Sequence, residues 1–225
     1  MRLGIFGGTF DPVHLGHLLL AESCREALRL DQVWFLPAAV PPHKQQRELT
    51  PARHRVEMLE LALGVHPGFA ICPHEVDRGG VNYTVDTLAH LKAEDPSREL
   101  FFLMGADSLR DLPNWKNPQT ICQLATPVVV CRALEPSQGQ AEIESLDFEA
   151  LKPLIPADRL EAIRAHQVRM PRIDLTSSDI RRRAHAGLSI RYRTPRAVEK
   201  YIETEALYRN LVAEPEQPGL CHGGK

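Results

Sequence analysis

The residues best placed to do chemistry are His14 and His17, three apart in the stretch Gly7-Gly8-Thr9-Phe10-Asp11-Pro12-Val13-His14-Leu15-Gly16-His17. On a helix, that spacing puts both imidazoles on one face. Imidazole is the side chain whose charge changes near neutral pH, with an ordinary pKa of about 6.5. A helix N-terminus disfavours further positive charge, so a histidine pair there calls for a compensating anion, and a phosphate chain is the natural one. Either histidine alone would read equally well as a surface or core residue. A second cluster, Thr176-Ser177-Ser178 followed by Arg181, supplies hydroxyls, N–H groups and a guanidinium that can fork onto phosphate. The same Ser/Thr run can simply cap a helix, and Arg181-Arg182-Arg183 alone reads as a solvated face or a weak nucleic-acid signal. Phosphoryl and nucleotidyl transfer need this kind of equipment: groups that align the reactants and stabilise charge on phosphate oxygens, with little covalent chemistry.

Such residues need rigid supports. Leu3 to Phe6 is a short apolar run suited to a buried strand. Gly7 and Gly8 let the chain turn and let a ligand approach bare backbone. Asp11 before Pro12 then predicts an N-cap with proline at the first helical position, and the helix carries Leu18, Leu19, Leu20, Ala21 and Ala27 toward a core. Further strands are expected at Val33 to Leu36, Phe69 to Cys72, Leu100 to Met104 (the most apolar, hence central), Thr126 to Cys131 and Val168 to Leu175, the last edge-like because of Pro171. Helices are expected from Thr50-Pro51 to Leu63, Thr84 to Lys92, Asn117 to Leu124, Asp158 to His166, Asp179 to Ala186 and Pro195 to Leu207. The alternation predicts an α/β fold, a doubly wound, Rossmann-like parallel sheet in a single domain over residues 1–212. An excursion from the sheet is expected near residues 133–157, and a Pro/Glu/Gly-rich disordered tail over 213–225.

Other candidates fall just after strands, at the sheet edge where ligands bind in open α/β folds. His43 and Lys44 follow a proline-stiffened segment and read either as a solvated basic loop or as a phosphate contact. Gly105 to Asp107 forms a small-residue turn ending in a carboxylate. Asp107 can accept hydrogen bonds from ribose hydroxyls or can be a plain N-cap. Thr84 opens its helix, as a cap, a ligand contact or both. Trp115, in a polar Pro-flanked loop, offers a stacking surface or is pinned over the core edge. Arg132 closes its strand.

The chain has 225 residues, 43% hydrophobic and 25% charged, with formal net charge −2. That suits one large soluble domain and gives no global pull toward nucleic acid or an anionic membrane. Signal-peptide features and an apolar run of roughly 18 residues are not expected, so a cytoplasmic protein is. Five cysteines, an odd number without Cys-x-x-Cys spacing, suggest neither a disulfide framework nor a zinc knuckle. Cys24, Cys72, Cys122 and Cys131 read as core residues.

The stretch Gly7 to His17 resembles the signature of nucleotidyltransferases sharing a His-x-Gly-His motif. Leu175-Thr176-Ser177-Ser178-Asp179-Ile180-Arg181 resembles that superfamily's Ile-Ser-Ser-Thr-x-Ile-Arg motif, with Leu for Ile, Thr for Ser and Ser for Thr. Over roughly residues 1–210 the chain is most similar to bacterial nicotinate-nucleotide adenylyltransferases. The resemblance implies transfer of AMP from ATP to nicotinate mononucleotide, with Mg²⁺ carried on ATP and no dedicated protein metal site. It implies catalytic roles for His14, His17 and Arg181. It implies ATP contacts from Gly7, Gly8, Thr9, Phe10, His14, His17, Gly105, Asp107, Thr176, Ser177, Ser178 and Arg181. Mononucleotide contacts would come from His43, Lys44, Tyr83, Thr84, Trp115, which stacks on the pyridine, and a phosphate-facing Arg132. No nucleic-acid or membrane partner is implied. The same fold could instead adenylylate nicotinamide mononucleotide or phosphopantetheine, or act as a nucleotide sensor without turnover. A dinucleotide-dependent oxidoreductase is disfavoured, because neither Gly-x-Gly-x-x-Gly nor a P-loop follows the first strand.

Overall fold

A computed structural model describes residues 1–39, 49–133 and 148–209, with the side chains of 132 and 133 left aside. Six parallel strands form one sheet in the order β3-β2-β1-β4-β5-β6. They are β1 (Arg2–Gly8), β2 (Gln32–Pro37), β3 (Phe69–Ile71), β4 (Glu99–Gly105), β5 (Ala125–Ala133) and β6 (Val168–Pro171). The chain winds outward from β1 to β3, returns to β4 beside β1, and winds outward the other way. The crevice between the ends of β1 and β4 is therefore the topological switch point, where this fold class binds ligands.

Strand residues alternate between two cores. Phe101 and Leu103 of β4 face one, and Leu100, Phe102 and Met104 face the other. The first core is covered by α1 (Leu15–Ala27) and α2 (Ala52–Leu63), and by two late helices whose ranges follow. The second is covered by α4 (Thr84–Glu94), α5 (Ala106–Asp111), α6 (Pro118–Leu124) and α7 (Ala157–Ala165). The late helices on the first face are α8 (Ser177–His185) and α9 (Arg196–Thr204), which contribute Ile180, Val198 and Ile202. Helices on both faces make the sheet doubly wound, as expected. β4 is central and β6 is an edge.

Several local expectations need correction. The first helix begins at Leu15, three residues after Pro12, with His14 as its N-cap. Asp11 is no cap, and Ala27 is exposed. β6 stops at Pro171 instead of reaching Leu175, since proline offers no ladder donor. α8 starts two residues earlier than expected, at Ser177. A short helix, α3 (His74–Arg78), precedes the Gly79-Gly80 turn and was not expected. Gly79 and Gly80 both take positive φ, 68° and 64°, which explains glycine at each. On α2 the inward face is Arg55, Met58, Leu59 and Leu63, with Val56 only half-buried. Cys24, Cys72, Cys122 and Cys131 are buried, as expected. Residues 148–156 pack Phe148, Leu151 and Ile155 into the second core. The rest of the expected excursion, His43, Lys44 and the tail lie outside the described residues.

Candidate active site

Residues 9–14 form a loop from the end of β1 to α1, with Phe10 at φ 49° and a cis Asp11-Pro12 peptide. Its carbonyls are claimed by side chains from distant parts of the chain. Arg55 Nη1 donates to the Thr9 carbonyl at 2.8 Å, and Arg181 Nη1 to that of Asp11 at 2.7 Å. The Ser177 hydroxyl donates to the Pro12 carbonyl at 2.9 Å, and the Thr194 hydroxyl to that of Val13 at 2.7 Å. In a trans peptide the N–H points opposite to the C=O. Anchoring the Thr9 and Pro12 carbonyls in the protein therefore turns the N–H groups of Phe10 and Val13 the other way. The two motifs, 165 to 170 residues apart in sequence, are in direct contact.

The histidine pair is built into the start of α1. The His14 backbone N–H donates to His17 Nδ1 at 3.2 Å, and the His17 N–H to His14 Nδ1 at 3.3 Å. This is a capping box in which imidazoles replace the usual Ser and Glu. The rings stack with centroids 3.6 Å apart and planes 15° from parallel. Because both Nδ1 atoms accept, each ring proton is assigned to Nε2, which makes Nε2 a donor. The His17 ring is held by edge contacts with Phe10 and Phe6, at 5.1 and 5.9 Å. Gly16 makes room for this arrangement, since a Cβ there would lie 3.1 Å from His14 Nδ1. Gly8 does the same for Phe10, whose ring a Cβ would meet at 2.8 Å. The helix end itself is already served by protein groups: the Leu15 N–H donates to the Arg193 carbonyl at 3.1 Å. An anion here would meet imidazole Nε2–H and loop N–H groups more than helix N–H groups.

Asp11, expected at a helix start, is a buried carboxylate. Its Oδ1 accepts from the Tyr208 hydroxyl at 2.8 Å and its Oδ2 from the Thr50 N–H at 3.3 Å. Arg55, only 1% exposed, also donates to the carbonyls of Thr50 and Ala39 at 3.0 and 3.2 Å. Burial pulls the Arg55 guanidinium below its ordinary pKa, and the charges of Asp11 and Tyr208 oppose that pull. Arg181 is buried, and its Nη2 donates to Ser178 Oγ at 3.2 Å. The Thr176 hydroxyl caps α8 by accepting from the Asp179 N–H at 3.1 Å. All three hydroxyls of the Thr-Ser-Ser run therefore hold protein partners. Helix geometry leaves the N–H groups of Ser177 and Ser178 without intrahelical acceptors.

Of the expected mononucleotide residues, Tyr83, Thr84 and Trp115 lie on the other core face. Tyr83 is the N-cap of α4 and makes no side-chain cap bond. Thr84 is the first helical residue, so capping does not explain Thr84. Lys116 Nζ sits 4.5 Å from the Tyr83 ring centroid and 2.9 Å from Asp86 Oδ2, joining the Trp115 loop to the start of α4. Trp115 is half-buried against the second core and meets Phe102 edge-to-face at 6.0 Å. The same Phe102 ring lies 3.8 Å from where a Gly7 Cβ would be, linking the two halves of the site. Gly105 ends β4 beside β1, and a Cβ on it would meet nothing within 4 Å. Asp107 lies in the first turn of α5 and is not its N-cap; it is strongly exposed and pairs with Arg110. Arg132 closes β5, and its side chain is outside the description.

Behind Tyr83 lies a buried support. The Thr87 hydroxyl donates to Glu75 Oε1 at 2.8 Å, and Asn82 Nδ2 reaches the carbonyls of Glu75, Gly79 and Gly80 at 3.1 to 3.3 Å. Burial raises the Glu75 carboxyl above its ordinary pKa, partly offset by the Thr87 hydroxyl and Arg78. Among the described residues no group of three or more His, Cys, Asp or Glu could hold a metal ion. No helix among them is long and apolar enough to cross a membrane. Sequence reasoning missed Arg55, Thr194, Tyr208 and Glu75. Arg55 did carry a signal, because it occupies the apolar stripe of α2, one turn before Met58 and Leu59. The other three carried none.

The cytidylyltransferase-like family model matches residues 5–183, most of the chain. A Thermomicrobium roseum protein named "Probable nicotinate-nucleotide adenylyltransferase" is 49% identical over 212 residues, covering 94% of each chain. A Thermus thermophilus protein of the same name is 43% identical over 93% of this chain and 100% of its own. Among solved structures, Plasmodium falciparum nicotinic acid mononucleotide adenylyltransferase complexed with NaAD superposes with a TM-score of 0.69. It is 16% identical and covers 92% of this chain and 97% of its own, a likeness of fold. The strand order with its switch point, the histidine-built loop and these relatives agree: the chain belongs to the cytidylyltransferase-like family and, within it, to the nicotinate-nucleotide adenylyltransferases.

Proposed function

We propose that this chain transfers AMP from ATP to nicotinate mononucleotide, releasing pyrophosphate and forming nicotinate adenine dinucleotide for NAD biosynthesis, in the cytoplasm. The observation that carries the reading is the contact of the two motifs, Ser177 to the Pro12 carbonyl and Arg181 to that of Asp11, beside the stacked histidines. Relatives bearing the nicotinate-nucleotide adenylyltransferase name support the choice of acceptor.

The 5′-phosphate oxygen of nicotinate mononucleotide attacks the α-phosphorus of ATP. A new P–O bond forms as the bond to the β-phosphate oxygen breaks, and pyrophosphate leaves with that electron pair. A phosphate nucleophile is already ionised, so no protein base is needed. His14 and His17 donate from Nε2 to the phosphate chain, while Phe10 and Val13 offer N–H groups, fixed before reaction. Gly7, Gly8 and Thr9 let the triphosphate lie close to the turn. Arg181 holds the loop through Asp11 and brings positive charge to the β- and γ-phosphates, with Thr176, Ser177 and Ser178 beside it. Gly105 and Asp107 border the nucleoside. Trp115 stacks on the pyridine, Tyr83 and Thr84 bound it, and His43, Lys44 and Arg132 face its phosphate. Mg²⁺ enters as part of the substrate MgATP, held through phosphates and water.

The test is pyrophosphate release with ATP and, in turn, nicotinate mononucleotide, nicotinamide mononucleotide and phosphopantetheine. Turnover should be greatest with the first, and His17→Ala should lower kcat by orders of magnitude in a folded protein. Preference for another acceptor, silence with all three, or near-normal turnover in the variant would overturn the reading.

A further inference from the structure

Asp11 is fixed from two sides. Its carbonyl takes Arg181 and its carboxylate takes the Tyr208 hydroxyl, 197 residues away in sequence. Tyr208 lies in the segment that follows α9, at φ 67°, with Ala206 at 52° before it. Backbone of that hand is rare for residues bearing a Cβ and persists where the surroundings over-determine it. The surroundings here supply that constraint: Tyr208 is buried and packs into the first core. Thr50 in turn gives its N–H to Asp11 and its carbonyl to Arg55, which holds Thr9. Tyr208 and Thr50 thus hold the two oxygens of the Asp11 carboxylate, and through Thr50 the set reaches Arg55 and the Thr9 carbonyl, so that it ends on two residues of the loop.

We infer that Tyr208 is a positioning residue of the adenylyl-transfer site: as a latch on Asp11, its hydroxyl sets the orientation of the loop that carries His14 and the Phe10 and Val13 N–H groups. The inference rests on the reaction proposed above. Tyr208 touches no substrate, so its loss acts on the chemical step and leaves binding nearly intact. A latch also differs from a plain core residue in what its removal changes. Removing the hydroxyl leaves the Asp11 carboxylate short of a donor in a buried place, and the peptide it steers can turn.

The experiment compares Tyr208→Phe with Tyr201→Phe, whose hydroxyl bonds His54 and Glu57 on α2 away from the loop. Both are assayed well below their melting midpoints with the folded fraction verified. Tyr208→Phe should lower kcat ten-fold or more, with KM for ATP and for nicotinate mononucleotide within two-fold of the original. Tyr201→Phe should leave kcat unchanged. Adding Tyr208→Phe to Asp11→Asn should lower kcat no further than Asp11→Asn alone. Amide hydrogen exchange in peptides spanning residues 9–14 should quicken in Tyr208→Phe and not in Tyr201→Phe. If Tyr208→Phe does not fold, Asp11→Asn stands in for it: weakening the same bond from the acceptor side should lower kcat and quicken exchange across residues 9–14, with both KM values within two-fold of the original. Kcat within two-fold of the original in folded Tyr208→Phe, or in Asp11→Asn where Tyr208→Phe does not fold, overturns the latch. An original enzyme silent with nicotinate mononucleotide overturns the reaction instead. Hydrogen exchange then decides the latch by itself, and unchanged exchange in Tyr208→Phe rejects it.

Discussion

Replacing Gly16 by alanine should separate stability from catalysis. Gly16 is the second residue of α1, and alanine there is a better helix former by up to about 1 kcal/mol, less in a first turn. On helix propensity alone, stability would rise slightly. The new Cβ, however, would stand 3.1 Å from His14 Nδ1 and 3.2 Å from Cε1, with Ile173 3.8 Å away. The backbone of α1 cannot yield, so the imidazole must move by a few tenths of an ångström. The bond from the His17 N–H to His14 Nδ1 is already 3.3 Å long and would pass the roughly 3.5 Å at which such a bond is lost. If a misplacement of about 1 Å costs about 100-fold in rate, a third of that distance costs about three- to ten-fold. Pyrophosphate release gives kcat, and a thermal melt gives the midpoint. Loss of that cap bond costs about 0.5–2 kcal/mol and offsets the helix gain, so the expected pair is a kcat lower by that factor and a midpoint close to the original. A kcat loss that tracks a falling midpoint, or an unaltered kcat with a visibly displaced ring, would refute the steric reasoning.

Trp115→Ala should raise KM for nicotinate mononucleotide by about three- to ten-fold, from an aromatic pairing worth about 0.5–1.5 kcal/mol. KM for ATP should stay put; an unchanged mononucleotide KM removes Trp115 from the pyridine site. Glu75→Gln should be at least as stable as the original at pH 7, because burial raises this carboxyl and disfavours its charge, while the amide oxygen still accepts from Thr87. For an acid whose folded pKa is raised, the stabilising contribution is full below the unfolded value, ordinarily 4.5, and is lost as pH rises through the folded value. The stability gap between variant and original should thus widen from acid toward neutral pH in denaturant titrations. A gap that narrows would contradict the burial argument.

The sheet was readable because buried parallel strands are written as short apolar runs such as Leu100 to Met104, too short for a helix and bounded by Pro96-Ser97 and Gly105. The site was readable where its parts are local, as in the His-x-Gly-His spacing. What escaped were features decided by the rest of the fold. Asp11 before Pro12 is a sound helix-start pattern, yet positive φ at Phe10 and four remote donors turn that stretch into a loop. Histidine is an uncommon cap, and His14 serves as one because its ring can lie over a residue with no side chain. Arg55 would ordinarily face water. Here three carbonyls converge on it, contributed by segments far from one another in sequence. No window of neighbouring residues contains such information.

The anchors of the loop also set an order on when this protein can work. Of the side chains that hold Thr9, Asp11, Pro12 and Val13 by their carbonyls, Ser177, Arg181 and Thr194 belong to the final quarter of the chain, and Tyr208 comes later still. A growing polypeptide with its first four strands finished already owns both histidines and Arg55, but it lacks the late donors that fix the Asp11, Pro12 and Val13 carbonyls. The loop is fully held only once the segment beyond α9 has been made, so an incomplete copy can bury its apolar strands without ever consuming ATP.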